Sequence, residues 1–130
     1  VPSHAQPPSR IRLRRQSRVL ELTWPGQEPC ELDWEFLRVH SPSAEVRGHG
    51  HGDGTLPTGK KHVAITEVRP VGHYALQLVF DDGHDSGLYA WDYLRELCAR
   101  REALWETYLD QLRAAGASRD PDTQVIHFQP

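Results

Sequence analysis

Eight histidines in 130 residues are the side chains best suited to chemistry, because neutral imidazole is the commonest protein ligand for transition metals and titrates near neutral pH. His49 and His51 flank Gly50 in the run RGHGHGDG, with His40 upstream and His62 downstream, while His73 and His84 fall in turn-forming sequence further on. Glycines let a loop wrap closely round an ion, and Asp53, Asp82 or Asp85 can add a carboxylate, a mixed nitrogen and oxygen set that suits zinc or iron(II). The metal reading therefore rests on His84, His49 and His51. A plainer reading stands beside it. So many histidines produce chance neighbours, and an imidazole at position 84 can instead hold the DDGH turn by hydrogen bonds to backbone groups.

A second polar group, Arg38, Ser41, Glu45 and Arg47, precedes the same glycine-rich run. The arginine fork matches carboxylate or phosphate, so these residues together with His49 form a candidate partner-binding surface. Alternatively, Glu45 pairs with Arg38 or Arg47 and fastens the loop to a helix. No GxSxG, HExxH, P-loop or dinucleotide fingerprint occurs, so no catalytic residue is assigned and the chain reads as a non-enzyme. The only cysteines, Cys30 and Cys98, are far apart and have no CxxC partner, which argues against a disulfide framework or a cysteine-rich zinc site. Cys98 reads as a small core residue, and Cys30 as a partly exposed thiol.

These side chains need a scaffold. A composition 38% hydrophobic and 25% charged is that of one globular core, and the length suits a single domain. The formal charge of -3 argues against a general nucleic-acid binder. Arg10, Arg12, Arg14, Arg15 and Arg18 cluster locally but lack interleaved aromatics, so they read as a solvated flank. No apolar run is long enough for a bilayer span or has the form of a signal peptide; no membrane association is expected, and the cytoplasm is the expected compartment. We expect a flexible N-terminal tail over 1–16, one domain over 17–116 and a C-terminal tail over 117–130.

Within the domain, RVLELTW alternates as a strand, Pro25-Gly26 supplies a turn and CEL a return strand. Asp33 then caps a short helix that stops near Ser41-Pro42. Residues 43–61 keep no period and form a long irregular segment. HVAITEVRPVG and HYALQLVF form a hairpin about Gly72-His73, DDGH is a turn, and SGLYAW leads into one long helix from about Trp91 to Ala115, stopped by Gly116. Trp105, Tyr108 and Leu112 on that helix are either core or a dimer face, which leaves a monomer or weak homodimer. The fold class is α+β.

The segments LTW, DWEFLRVHSPSAEVRGHG and VAITEVRPVGHYALQLVFDDGHDSGLYAWDYL, taken in order, resemble a stand-alone bacterial family of unknown function related to the N-terminal domain of gamma-butyrobetaine hydroxylase. The resemblance covers roughly residues 17–97, and its strongest pieces are LR…S…E.RGHG and FDDGH.SG.Y.W.YL. It implies a small antiparallel sheet with a short helix and a long C-terminal one. It also implies a zinc site of three cysteines and a histidine. The histidine matches His84, followed by Ser86, while the cysteine positions fall near Ser41, Ser43 and Val46, none of which replaces a thiolate. Zinc or iron would need a rebuilt, histidine-based site. The hydroxylase's catalytic domain has no room in this length. A similar domain is appended to plastid iron–sulfur carriers of the Mrp ATPase type, so the resemblance implies a non-catalytic binding or adaptor domain, accessory to iron–sulfur or other metal metabolism. The alternative is a metal-binding protein belonging to an oxygenase-type system.

Overall fold

The computed structural model describes residues 6–43 and 56–121. Two three-stranded antiparallel sheets and three helices make up these residues, so the class is α+β as expected. The first sheet has the order β1 (Arg10–Arg14), β2 (Val19–Thr23), β3 (Cys30–Asp33). Helix α1 (Trp34–Val39) follows directly. The second sheet has the order β4 (Ile65–Val71), β5 (Ala75–Phe80), β6 (Leu88–Ala90), and leads into α2 (Trp91–Ala99) and α3 (Arg101–Ala115).

Strand β1 corrects the expectation of a flexible tail through residue 16. Its alternation places Arg10, Arg12 and Arg14 on one face and Ile11 and Leu13 on the other. Leu13 packs on the core. On the opposite face Arg12 and Arg14 reach Glu21 at 3.6 and 3.1 Å, and Arg14 also reaches Glu31 at 3.4 Å. Glu21 lies on the central strand and is only 7% exposed, so the arginines compensate a carboxylate that would otherwise be shielded from water without a counter-charge. Arg10, Arg12 and Arg14 of the basic run thus belong to an edge strand, and Arg15 and Arg18 follow it.

The β4–β5 hairpin forms as expected, with Gly72 at φ +55° in its turn. Leu20, Leu22 and Leu32 of the first sheet, Ile65, Leu76, Leu78, Phe80 and Tyr89 of the second, and Trp34, Leu37, Leu94 and Leu97 of α1 and α2 all join one apolar cluster. A smaller cluster gathers Val39, Tyr108 and Leu112. Tyr108 and Leu112 are therefore core residues, and the dimer-face alternative loses two of its three side chains.

The single long helix is corrected to two. Arg100, at φ −113° and ψ 19°, separates α2 from α3, although neither glycine nor proline marks the place. What holds the elbow is tertiary. Cys98 near the end of α2 is disulfide-bonded to Cys30 of β3, and Arg101 donates to the Glu31 carbonyl at 2.6 Å. This pairing also corrects the reading of Cys98 as a lone core residue and Cys30 as an exposed thiol: sequence distance does not prevent β3 and α2 from meeting with their Cα atoms 6.2 Å apart. Gly116, at φ +63°, ends α3 as expected. Residues 117–121, placed in a tail by the sequence, instead lie beside residues 59–61, with Gly59 and Lys61 N–H groups donating to the Ser118 and Arg119 carbonyls at 2.9 and 3.0 Å.

Candidate functional site

Helix α1 has only six residues and all are buried, Glu35 and Arg38 included. A short helix enclosed on every side must find partners for its charges, because an unpaired buried charge costs several kcal/mol, roughly 3 to 5 when one partner is removed. Glu35 takes both prongs of the Arg119 guanidinium, at 2.7 Å each. This side-chain hydrogen bond is the main cause that raises the Arg119 pKa. At the other end of the helix, Arg38 Nε donates to Asp82 Oδ2 at 2.9 Å, and Lys60 Nζ donates to the same oxygen at 2.7 Å. The second oxygen, Asp82 Oδ1, accepts the His84 backbone N–H at 3.2 Å.

Arg38 precedes and Lys60 follows the stretch 44–55. One carboxylate in the DDGH turn therefore pins both flanks of that stretch. Burial acts to raise the Asp82 pKa, but hydrogen bonds from Lys60 and Arg38 and the Arg38 charge outweigh it, and the net shift is downward. A carboxyl whose pKa is lower folded than unfolded contributes stability above its unfolded value and loses it as pH falls through the folded one. Acid titration of wild type and Asp82→Asn should thus show the wild-type advantage in melting temperature at neutral pH shrinking below about pH 4. An advantage that does not depend on pH would contradict this ion pairing.

Beside the clamp, the His84 ring crosses to α1's C-terminal side. Its Nε2 lies 2.7 Å from Ser41 Oγ and 3.5 Å from Ser43 Oγ, and the Ser43 N–H donates to Ser41 Oγ at 3.4 Å. All three residues are buried, Ser41 to 1% and His84 to 7%. The turn itself is closed by the backbone: Phe80 N–H donates to the His84 carbonyl at 3.0 Å, and Gly83 takes φ +87°. Above Ser41 the Tyr89 hydroxyl donates to the Leu37 carbonyl at 2.5 Å, and the Tyr93 hydroxyl donates to that of His40 at 2.5 Å. Full burial drives the Tyr89 pKa far above its ordinary value, so the hydroxyl stays a neutral donor. We expect Tyr89→Phe to cost about 1 kcal/mol in chemical denaturation, the net worth of one hydrogen bond.

Gly87 closes the cluster. A Cβ at this position would collide with Ser41 Oγ and approach Pro42 Cδ to 3.2 Å. Gly87→Ala should therefore cost about 2 kcal/mol of stability through overpacking, measured by urea unfolding; an unchanged midpoint would mean that Ser41 is not held where the structure shows it.

Of the residues singled out from the sequence, His84, Ser41 and Ser43 meet, and Arg38 stands next to them. Arg38 and Ser41 are both turned inward. His49, His51, Glu45, Arg47, Asp53 and Val46 lie outside the described residues. The remaining described histidines do not converge: His40 Nδ1 lies 2.9 Å from the Phe36 carbonyl, while His62 and His73 offer their backbone carbonyls to Arg18 and Trp91. Among the described residues no group of three His, Cys, Asp or Glu side chains could hold a metal ion. Asp82 was a candidate metal ligand in the sequence and is instead the counter-ion of Arg38 and Lys60. Nothing local marked that pairing, which joins residues far apart in the chain.

A model of the gamma-butyrobetaine hydroxylase-like N-terminal domain matches residues 11–95. The chain belongs to this family. Two solution NMR structures resemble this gamma-butyrobetaine hydroxylase-like domain over nearly their whole lengths. One is 51% identical with a TM-score of 0.79, covering 96% of this chain and 98% of the other, and the second is 47% identical with a TM-score of 0.77, covering 99% and 98%. A crystal structure of a protein of unknown function from Acidithiobacillus ferrooxidans ATCC 23270, assigned to the DUF971 family, is 44% identical with a TM-score of 0.59, covering 71% of this chain and 92% of that one. No curated protein matches significantly.

The zinc ion implied by the resemblance does not fit the described part of this gamma-butyrobetaine hydroxylase-like site. By the resemblance, Ser41 and Ser43 fall near two of the family's cysteine positions, and serine hydroxyls do not replace thiolates in a structural zinc site. The Ser41 to His84 separation of 2.7 Å is a hydrogen bond, whereas donors on a tetrahedral zinc stand roughly 3.3 Å apart or more. Hydrogen bonds thus occupy the place that metal bonds would take. No helix among the described residues is long and apolar enough to cross a membrane.

Proposed function

We propose that this protein is a non-catalytic adaptor that presents the stretch 44–55, with Glu45, Arg47, His49 and His51, to a protein partner from a rigid base formed by Asp82, His84, Ser41 and Ser43. The observation that carries the reading is the shared carboxylate oxygen: Arg38 and Lys60, on either side of the stretch, both bond to Asp82 Oδ2. Binding segments are commonly loops carried on rigid scaffolds. The serine and histidine beneath are buried and bonded to each other, an arrangement that supports the fold and does not offer Ser41 to a substrate.

The resemblance to domains appended to iron–sulfur carriers makes a partner in iron–sulfur or metal handling the first to test. A cytoplasmic setting goes with that reading, and in that compartment the glutathione and thioredoxin pool would hold Cys30 and Cys98 as thiols. A monomer that binds neither nucleic acid nor membrane is part of the same proposal. The alternative, a zinc or iron site built from His84, His49 and His51, would require His84 Nε2 to give up Ser41.

Replacing residues 48–55 with a glycine-serine linker of equal length should abolish capture of partners from an extract while leaving the circular dichroism spectrum and melting temperature nearly unchanged. Retention of the same captured proteins by the replaced variant would contradict the adaptor reading.

A further inference from the structure

The bend between α2 and α3 is imposed from outside the helices. No glycine or proline stands anywhere in the segment from Trp91 to Ala115, and the residues at the bend, Ala99, Arg100, Arg101, Glu102 and Ala103, are all strong helix formers. Local sequence thus favours one continuous helix, yet Arg100 sits in the sparsely populated bridge region, at φ −113° and ψ 19°. Two ties to β3 flank it, the Cys30–Cys98 disulfide before the bend and the Arg101 bond to the Glu31 carbonyl after it. The second is a single exposed hydrogen bond, which contributes little alone. We propose that the cysteine pair is a redox switch: closed, it holds the bend, and opened, it releases α3 from the position the bend imposes.

Both cysteines are partly exposed at the margin of the main apolar cluster, so the pair is open to a small-molecule thiol such as glutathione. A glutathione thiolate attacks one sulfur, and the other leaves as a protein thiolate that takes up a proton. A second glutathione then displaces the protein sulfur from the mixed disulfide. The protein gains two electrons and two protons while two glutathiones become one glutathione disulfide, and oxidation runs the same steps in reverse.

Helix α3 carries the consequence outward. Its Trp105 ring meets Phe36 of α1 at a centroid distance of 6.4 Å, its Tyr108 hydroxyl donates to the Pro57 carbonyl at 2.7 Å, and Leu56 packs on the cluster of Val39, Tyr108 and Leu112. Past the end of α3, the Ser118 and Arg119 carbonyls accept the Gly59 and Lys61 N–H groups. A shift of α3 is therefore felt at residues 56–61 through contacts that involve neither cysteine. The switch lies in the fold itself and does not require that the 44–55 stretch bind a partner.

The test equilibrates the full chain, labelled with 15N, with glutathione and its disulfide at ratios from mostly oxidised to mostly reduced. Thiol blocking followed by mass spectrometry reads the state of Cys30 and Cys98. Both forms should coexist at intermediate ratios and interconvert reversibly. The Gly59 and Lys61 amide cross-peaks should move with the redox state, while those of Gln77 and Leu78 in β5 stay in place. Cys30→Ser, Cys98→Ser should show the reduced positions and ignore glutathione. A bond that stays closed in excess reduced glutathione, thiols that never pair, a reduced protein that unfolds altogether, or Gly59 and Lys61 cross-peaks that do not respond would each overturn the switch. None of these readouts uses a captured partner, so the switch and the adaptor reading fail separately.

Discussion

Breaking the Cys30–Cys98 bond, by reduction or by the double substitution Cys30→Ser, Cys98→Ser, should lower the unfolding free energy by about 4 kcal/mol. The bond spans a sequence separation of 68 residues, and a cross-link that closes so long a loop removes much of the freedom of the unfolded chain. The enclosed loop runs from β3 through α1 and the second sheet to α2, so the tie joins the first sheet to the element that follows the second. It also pins the end of α2 just before the Arg100 elbow, where Arg101 makes its own contact with β3. Reduced protein should therefore unfold at lower urea concentration. Coincident unfolding curves with and without reductant, or two titratable thiols in the oxidised native protein, would show that the bond does not form.

Asp82→Ala should cost about 3 kcal/mol at neutral pH, the lower end of the range for breaking a buried ion pair, because Asp82 itself keeps 24% of its side chain exposed and solvent screens part of the charge. The reason for a large effect is Arg38. Its side chain is 10% exposed on a helix with no outward face, and losing Asp82 leaves its guanidinium without the carboxylate that compensates it. Lys60, with 23% exposure, can turn to water and should contribute little. Lys60→Ala in the same urea experiment should therefore fall below 1 kcal/mol. Comparable losses from the two substitutions would mean that Arg38 is not the residue that depends on Asp82. Asp82→Ala should also weaken partner capture, since the 44–55 stretch would lose the anchor common to its two flanks.

Periodicity made the β4–β5 hairpin, α1 and the β2 strand readable, and the turn at Gly83 and the stop at Gly116 followed from residues that tolerate positive φ. Strand β1 was hidden because its apolar half consists of only Ile11 and Leu13 among arginines, and alternation that weak resembles a charged tail. The elbow at Arg100 has no local signal at all; it exists because the disulfide and Arg101 fasten one side to β3 while Tyr108 and Leu112 follow Val39 into a separate cluster. Ser41, Ser43 and His84 were brought together by the family resemblance rather than by spacing. The clamp on Asp82 was not legible, since it follows from the burial of α1 on all sides, a tertiary fact that a six-residue helix does not announce.

In the proposed reading, hydrogen bonds and one shared carboxylate build the base at His84, and no metal ion is needed there. Elemental analysis of untagged protein by plasma mass spectrometry, run beside His84→Ala, tests this most directly. Both proteins should carry zinc and iron only at trace levels, and the variant should differ from wild type in stability alone. One equivalent of metal in the wild type that disappears in His84→Ala would contradict that reading and make the histidine a ligand.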